Sequence, residues 1–242
     1  MCGRYVRKST RREIAAWFGA EDDDVAPWGE SYNVAPQTFQ PVVRLNRDRG
    51  QREIVLMRWG LIPYWAKDAK MAYSTINARA ETVATAPAFR EALRRRRCLV
   101  PADAFYEWQT LDAKQKQPFA IALASREPYG FAGLWERWKH EHEWLETFTI
   151  ITTAPNQVVA PLHNRMPVIL ERGDYGRWLA SDPEEQPPLD LLRPYPAEQM
   201  TAWKVDQAVG NVRKDGAVLL DPAPVADTQQ DLFGTVTGRP AE

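Results

Sequence analysis

Between residues 97 and 170 the chain is a succession of short β-rich runs: "RCLVPA", "AFYEWQ", "PFAIALA", "YGFAGLWE", "WLETFTIITT" and "MPVIL". Polar turns separate them. Runs of this length, bounded by turn residues, read as strands. The expected fold is therefore α+β: a mainly antiparallel, β-barrel-like core with short peripheral helices. Earlier in the chain, "PVVRLNRDRGQREIVLMRWG" predicts a hairpin around "RDRG". Ten tryptophans and a hydrophobic share of 44% in 242 residues supply enough apolar surface for a good core.

Helices are fewer. "STRREIAAWFG" carries Thr10 as N-cap, Glu13 three residues on as its capping-box partner, and Gly19 as the stop. Its Ile14, Trp17 and Phe18 fall at helical spacing and are assigned to the core. "TAPAFREALRRRRC" predicts a second helix starting near Pro87, whose Arg94 to Arg97 complement the negative helix end. "DYGRWLA" predicts a late short helix. The organisation expected is one domain over residues 1–220 and a disordered tail over 221–242, where proline, small and polar residues take over.

No run of about 18 apolar residues is present, so no membrane span is expected. No basic, apolar leader with a small-residue cleavage site is legible, and a cytoplasmic, nucleoid-associated location is expected. Monomer is the default oligomeric expectation. Cys2 and Cys98 are the two cysteines, with no C-x-x-C and no H-x-x-x-H, so neither a metal site nor a cofactor is expected. The net charge of −1 conceals an asymmetry. Residues 1–100 hold 18 Lys/Arg against 11 Asp/Glu, and residues 101–242 hold 13 against 21. A polyanionic partner would meet the first hundred residues.

The chain opens "MCGRY". Methionine ahead of a small residue is ordinarily trimmed, which would leave Cys2 as a terminal 1,2-aminothiol. Its amine has a pKa of about 7.7–8.0 and its thiol about 8.5. An aldehyde meeting this pair condenses with the amine, and the thiol then closes a five-membered thiazolidine. That second step is intramolecular, with effective molarities reaching roughly 10⁵ M. An N-terminal nucleophile amidohydrolase, in which the amine is base for its own thiol, uses the same terminus. The opening alone leaves both chemistries standing. A third reading is a non-covalent module that binds modified bases in DNA.

Seven blocks discriminate among them: "MCGRY", "YNVAPQT", "RWGLIPYWAKD", "INARAETV", "CLVPADAFYEW", "TTAPNQVVAPLHNRMPVIL" and "VGNVRKDGA". In this order they resemble the SOS response-associated peptidase (SRAP) family, the abasic-site processing proteins, from Met1 to about Leu220. The resemblance implies a protein that captures the aldehyde of an abasic site in single-stranded DNA through Cys2. It also implies a thiol autopeptidase label and a strand-cleaving lyase side path. Glu107 matches the family's carboxylate, His163 its histidine, and Asn77 the asparagine that orients the Cys2 end. Taken alone, Glu107 would read as an outward-facing strand residue and Asn77 as a helix N-cap for "ARAETV". Arg4, Asn33 and Arg79 are the expected DNA contacts, with Trp65 as a stacking platform. Trp17, Trp135 and Trp178 fit core positions, and His140 and His142 a charged surface turn. In the tail, "QQDLF" looks like the pentapeptide with which bacterial repair proteins dock on the replication sliding clamp. Gln229, Leu232 and Phe233 would make that contact.

Overall fold

The computed structural model describes residues 2–22, 25–112, 115–180 and 186–224. The tail residues Gln229, Leu232 and Phe233 lie outside the described residues, as does Met1. Short strands dominate the described chain. In order they are β1 (Tyr5–Arg7), β2 (Ala20–Glu21), β3 (Ser31–Val34), β4 (Phe39–Asn46), β5 (Gln51–Trp59), β6 (Asn77–Arg79) and β7 (Arg97–Ala102). Then follow β8 (Ala104–Thr110), β9 (Lys116–Leu123), β10 (Tyr129–His140), β11 (Glu143–Thr153), β12 (Met166–Pro167), β13 (Ile169–Leu170) and β14 (Met200–Lys204). Three short α-helices, α1 (Arg11–Phe18), α2 (Arg90–Arg95) and α3 (Tyr175–Leu179), sit at the periphery.

One sheet is an antiparallel run, β14-β9-β8-β1-β3. The other closes on itself. Strands β11, β10, β7, β4 and β5 are neighbours in that order, and β5 pairs back onto β11. Antiparallel neighbours must alternate in direction, and five strands in a ring cannot alternate throughout. One seam has to be parallel, and it is β5–β11, with Arg58 opposite Thr147 and Trp59 opposite Phe148. Further along β11, β6 takes over the same parallel pairing, with Asn77 opposite Ile150.

Alternation along the barrel strands divides the core. Val42, Cys98, Val100, Phe131, Phe148 and Ile150 join Tyr5, Phe105 and Ile121 of the other sheet in one buried cluster. Their neighbours Val43, Leu99, Ala132 and Ile151 pack against Ile14 and Phe18 of α1 and Tyr175 and Trp178 of α3. Phe18 stacks on Tyr175 with ring centroids 5.2 Å apart.

The helix α1 has the expected capping box between Thr10 and Glu13, and Gly19 ends it in the left-handed conformation. Trp17 is half-buried, with the Arg172 guanidinium over its ring at 4.3 Å. The hairpin around "RDRG" forms as read, Asn46 facing Gln51. The second helix is shorter than expected: turns fill residues 80–89 and α2 begins at Arg90. Asn77 does not cap a helix. It lies in β6 with Ala78 and Arg79, and only residues 80–83 of "ARAETV" are turn, because pairing with β11 outweighs the local capping preference. Arg97 is buried, and its guanidinium donates to the carbonyls of Leu93 (2.8 Å) and Trp178 (2.6 Å). Arg96 pairs with Glu136 at 2.8 Å. Arg95 lies 3.8 Å from Glu91, one helical turn back. No helix among the described residues is long and apolar enough to cross a membrane.

Candidate active site

The site begins where β1 meets β8. Tyr5 faces Phe105 and Val6 faces Ala104, and the Tyr106 N–H donates to Arg4 O at 3.0 Å. This pairing carries the first residues of the chain alongside Glu107. Along β8, Phe105 and Glu107 point one way, and Ala104, Tyr106 and Trp108 the other. Phe105 belongs to the cluster that contains Cys2, whereas Ala104 and Tyr106 belong to a separate one. Glu107 therefore faces inward and is 2% exposed, against the outward reading that its aromatic neighbours suggest.

Asn77 approaches from β6. Its Nδ2 donates to Cys2 O at 2.8 Å, and its buried Oδ1 has no hydrogen-bond partner among the described residues. Cys2 is itself fully buried. Burial pushes its thiol well above the ordinary range, the Glu107 carboxylate adds to the effect, and the Arg4 backbone N–H opposes it. The thiol is protonated at neutral pH. Burial also raises Glu107, to about 7, with the positive amino end of the chain pulling the other way. A carboxyl poised there exchanges a proton readily near neutrality.

His163 sits half-buried in the turns between β11 and β12. Burial, seconded by the charge of the amino end, lowers its pKa, so the ring is neutral at pH 7. The Arg165 N–H donates to His163 Nδ1 at 3.0 Å, and the Arg165 carbonyl oxygen lies 3.3 Å from the same nitrogen. Arg165, which sequence reasoning missed, is a second support of the site. Its guanidinium takes both oxygens of Glu81 (2.6 and 2.9 Å) and the carbonyl of Thr152 (2.6 Å). The cation two residues after the histidine in "HNRMP" was its one sequence signal. Among the described residues no group of three or more His, Cys, Asp or Glu could hold a metal.

The expected DNA contacts fall in three places. Arg79, two residues along β6 from Asn77, is exposed on the same face of the strand. Arg4 and Asn33 face each other, with Arg4 Nη1 donating to Asn33 Oδ1 at 2.9 Å. Asn33 is 5% exposed, and its Nδ2 donates to the carbonyls of Val209, Asn211 and Lys214. Asn33 thus spends its amide inside the protein. Trp65, 47% exposed, stands on a long excursion from Gly60 to Thr75, beside Tyr64. Gly60, at φ +122°, starts the excursion where a Cβ would lie 2.5 Å from Ala72 O. The loop is braced from the β10–β11 hairpin: buried Trp138 Nε1 donates to Ala66 O at 2.7 Å, and Ile62, Ala66 and Ala72 pack around its ring. Trp178 is core and Trp135 is half-buried beneath Arg44, while His142 is exposed.

A buried carboxyl of near-neutral pKa and an asparagine amide meet at buried Cys2, and a half-buried histidine lies in the turns that follow β11. A family model described as SOS response associated peptidase (SRAP) matches residues 1–212. The chain belongs to that family. Abasic site processing protein YoaM of Bacillus subtilis is 44% identical over 228 residues, covering 91% of this chain and 98% of its own length. Abasic site processing protein HMCES of Xenopus tropicalis is 32% identical, over 87% of this chain and 70% of its own length. Abasic site processing protein YedK of Escherichia coli is 29% identical, over 92% of this chain and all of its own length. A crystal structure of a protein from Bacteroides thetaiotaomicron superposes with a TM-score of 0.82 at 26% identity, covering 92% of this chain and all of that one.

Proposed function

We propose that the protein captures abasic sites in single-stranded DNA as a covalent thiazolidine on Cys2, after removal of Met1. The observation that carries this reading is the convergence of Asn77 and Glu107 on Cys2: an amide holding the residue's carbonyl at 2.8 Å and a carboxyl poised at about 7. The relatives named as abasic site processing proteins support it.

The steps follow from the groups present. The abasic sugar opens from hemiacetal to aldehyde, a proton transfer in which neutral His163 takes part. The Cys2 amine adds to the aldehyde carbon, and the carbinolamine loses water to give an imine, Glu107 delivering the proton that leaves with it. The protonated thiol then adds across the C=N bond. Its sulfur bonds to carbon and its proton goes to nitrogen, by way of the Glu107 carboxylate. One water is lost overall. A thiol that burial keeps protonated fits this order, since the amine reacts first and the sulfur closes the ring.

Arg4 and Arg79 would hold flanking phosphates, and Trp65 would stack on a neighbouring base, a contact worth about 1–3 kcal/mol. A nucleotide without its base costs little to present, so single strands are preferred over intact duplex. Strand cleavage by elimination from the same imine is a side path, and an autopeptidase action would expose the Cys2 amine by removing Met1. The tail pentapeptide would tether the protein to the sliding clamp; a pull-down with Leu232→Ala/Phe233→Ala that retains equal clamp removes that element. The main test mixes the protein with an abasic oligonucleotide and resolves the products on a denaturing gel. A heat-stable shifted band for wild type, absent for Cys2→Ala, is expected. An equally stable band from Cys2→Ala overturns the reading.

A further inference from the structure

The charge asymmetry of the sequence places a polyanion on the first hundred residues, yet one segment of the acidic half is fastened beside Arg4. Three side chains hold residues 209–215 in place. Asn33 Nδ2 donates to Val209 O (3.2 Å), Asn211 O (3.1 Å) and Lys214 O (2.8 Å). Arg4 donates to Val209 O (3.0 Å) and Gly210 O (3.4 Å). From the other end, the Asp215 carboxylate accepts from the Tyr32 N–H (2.6 Å) and the Ser31 hydroxyl (2.9 Å). Within the segment, Asn211 Oδ1 accepts from the Arg213 N–H (3.0 Å), and the Lys214 N–H donates to Asn211 O (3.0 Å).

This clasp presents Val212, Arg213 and Lys214 outward, all exposed. Neither Arg213 nor Lys214 meets a carboxylate at ion-pair distance among the described residues. The adjacent Asp215 is committed to the backbone and hydroxyl of β3. Ordering a backbone costs roughly 1–2 kcal/mol per residue, and cations serving solubility alone need no such fixing. A buried amide that gives both hydrogens to one peptide segment is built to hold that segment still.

We propose that Arg213 and Lys214 form a phosphate-binding pair for the single strand that reaches Cys2, with Asn33 as the positioning residue that sets them beside Arg4. The inference rests on the single-strand reading above and adds a contact surface to it. The partner chemistry is the phosphodiester backbone, without sequence preference.

Salt dependence tests it. Binding of an undamaged single-stranded oligonucleotide is followed by fluorescence anisotropy between 50 and 200 mM salt for wild type, Arg213→Gln/Lys214→Gln and Asn33→Ala, with Arg12→Gln as control. Each lost phosphate contact lowers the slope of log K against log salt by about 0.7 on a single strand. The double variant should lose about 1.4 from the slope. In crosslinking assays its half-saturating concentration of abasic DNA should rise more than its maximal rate falls. Asn33→Ala should lose part of the same slope, and Arg12→Gln none. An unchanged slope in the double variant, while wild type crosslinks normally, overturns this inference and leaves the proposed function standing. Failure of wild type to crosslink abasic DNA defeats that function and the inference with it.

Discussion

The two cysteines occupy environments alike in burial and opposite in chemistry. Both are fully buried, and burial pushes both thiols upward. Cys98 lies in the barrel strand β7 opposite Gly133, where a Cβ would stand 2.9 Å from its sulfur. The charge that reaches it is Arg44, which is committed to Glu53 (2.7 Å) and Glu146 (2.9 Å). Cys2 has a carboxyl beside it, a backbone N–H aimed at its sulfur and an amide on its carbonyl. Exclusion of water silences a thiol in either place. A proton acceptor and a fixed backbone are what would return reactivity to one of them.

Exchanging the cysteines' roles is the strongest way to break this contrast. Cys2→Ala should reduce heat-stable crosslink by at least about 100-fold, the order of a lost catalytic group, while Cys98→Ala keeps it within about twofold of wild type. Comparable losses in both variants would erase the distinction. Removing the acceptor comes next. Glu107→Gln should slow crosslinking by roughly 10²-fold and abolish an inflection near pH 7 in the wild-type rate profile, measured under single-turnover conditions.

The same residue makes a stability prediction. Its folded pKa of about 7 lies above the ordinary 4.5, so the fold favours the protonated form. That contribution is complete below pH 4.5 and is lost as the pH rises through 7. Relative to Glu107→Gln, wild type should lose roughly 2 kcal/mol between pH 5 and pH 8 in urea unfolding. A constant difference across that range would place the carboxyl in water.

Smaller effects sharpen the picture. Trp138→Phe keeps a smaller aromatic ring in place and deletes the donor to Ala66 O. It should weaken single-strand affinity about threefold, a lost hydrogen bond of roughly 0.5–1.5 kcal/mol, with the crosslinking pH profile unmoved. Cys98→Ala, finally, should cost about 1 kcal/mol of stability, the burial of a small apolar group.

What sequence could show follows from how local each signal is. The α1 capping box joins Thr10 to Glu13, and the β4–β5 hairpin joins Asn46 to Gln51; both are written in adjacent residues. The strand runs from Arg97 onward announce themselves by composition, although "MPVIL" splits into two short pieces, β12 and β13, at Val168. Glu107 was identifiable by family resemblance, but not its inward orientation, since alternation fixes which residues share a face and not which face is buried. The partners of Asn77 and Asn33 were illegible for a different reason. Asn77 pairs through β6 with a strand more than seventy residues away, and Asn33 bonds to carbonyls 176 to 181 residues away. No nearby pattern encodes such partners.

The parallel seam has a consequence of its own. Strands β5 and β6 lie end to end along β11, Trp59 opposite Phe148 and Asn77 opposite Ile150, so the chain departs and returns within two residues of one edge. Gly60 N–H to Phe148 O (2.8 Å) and Ile150 N–H to Ile76 O (3.2 Å) rivet both margins of that gap. Between them, Leu61, Ile62 and Ala72 are packed into the protein, whereas exposed Tyr64, Trp65 and Tyr73 could be exchanged without shifting the register that delivers Asn77 to Cys2. Loop closure grows costlier only with the logarithm of length, so the exposed tip of this stretch could also lengthen at little cost.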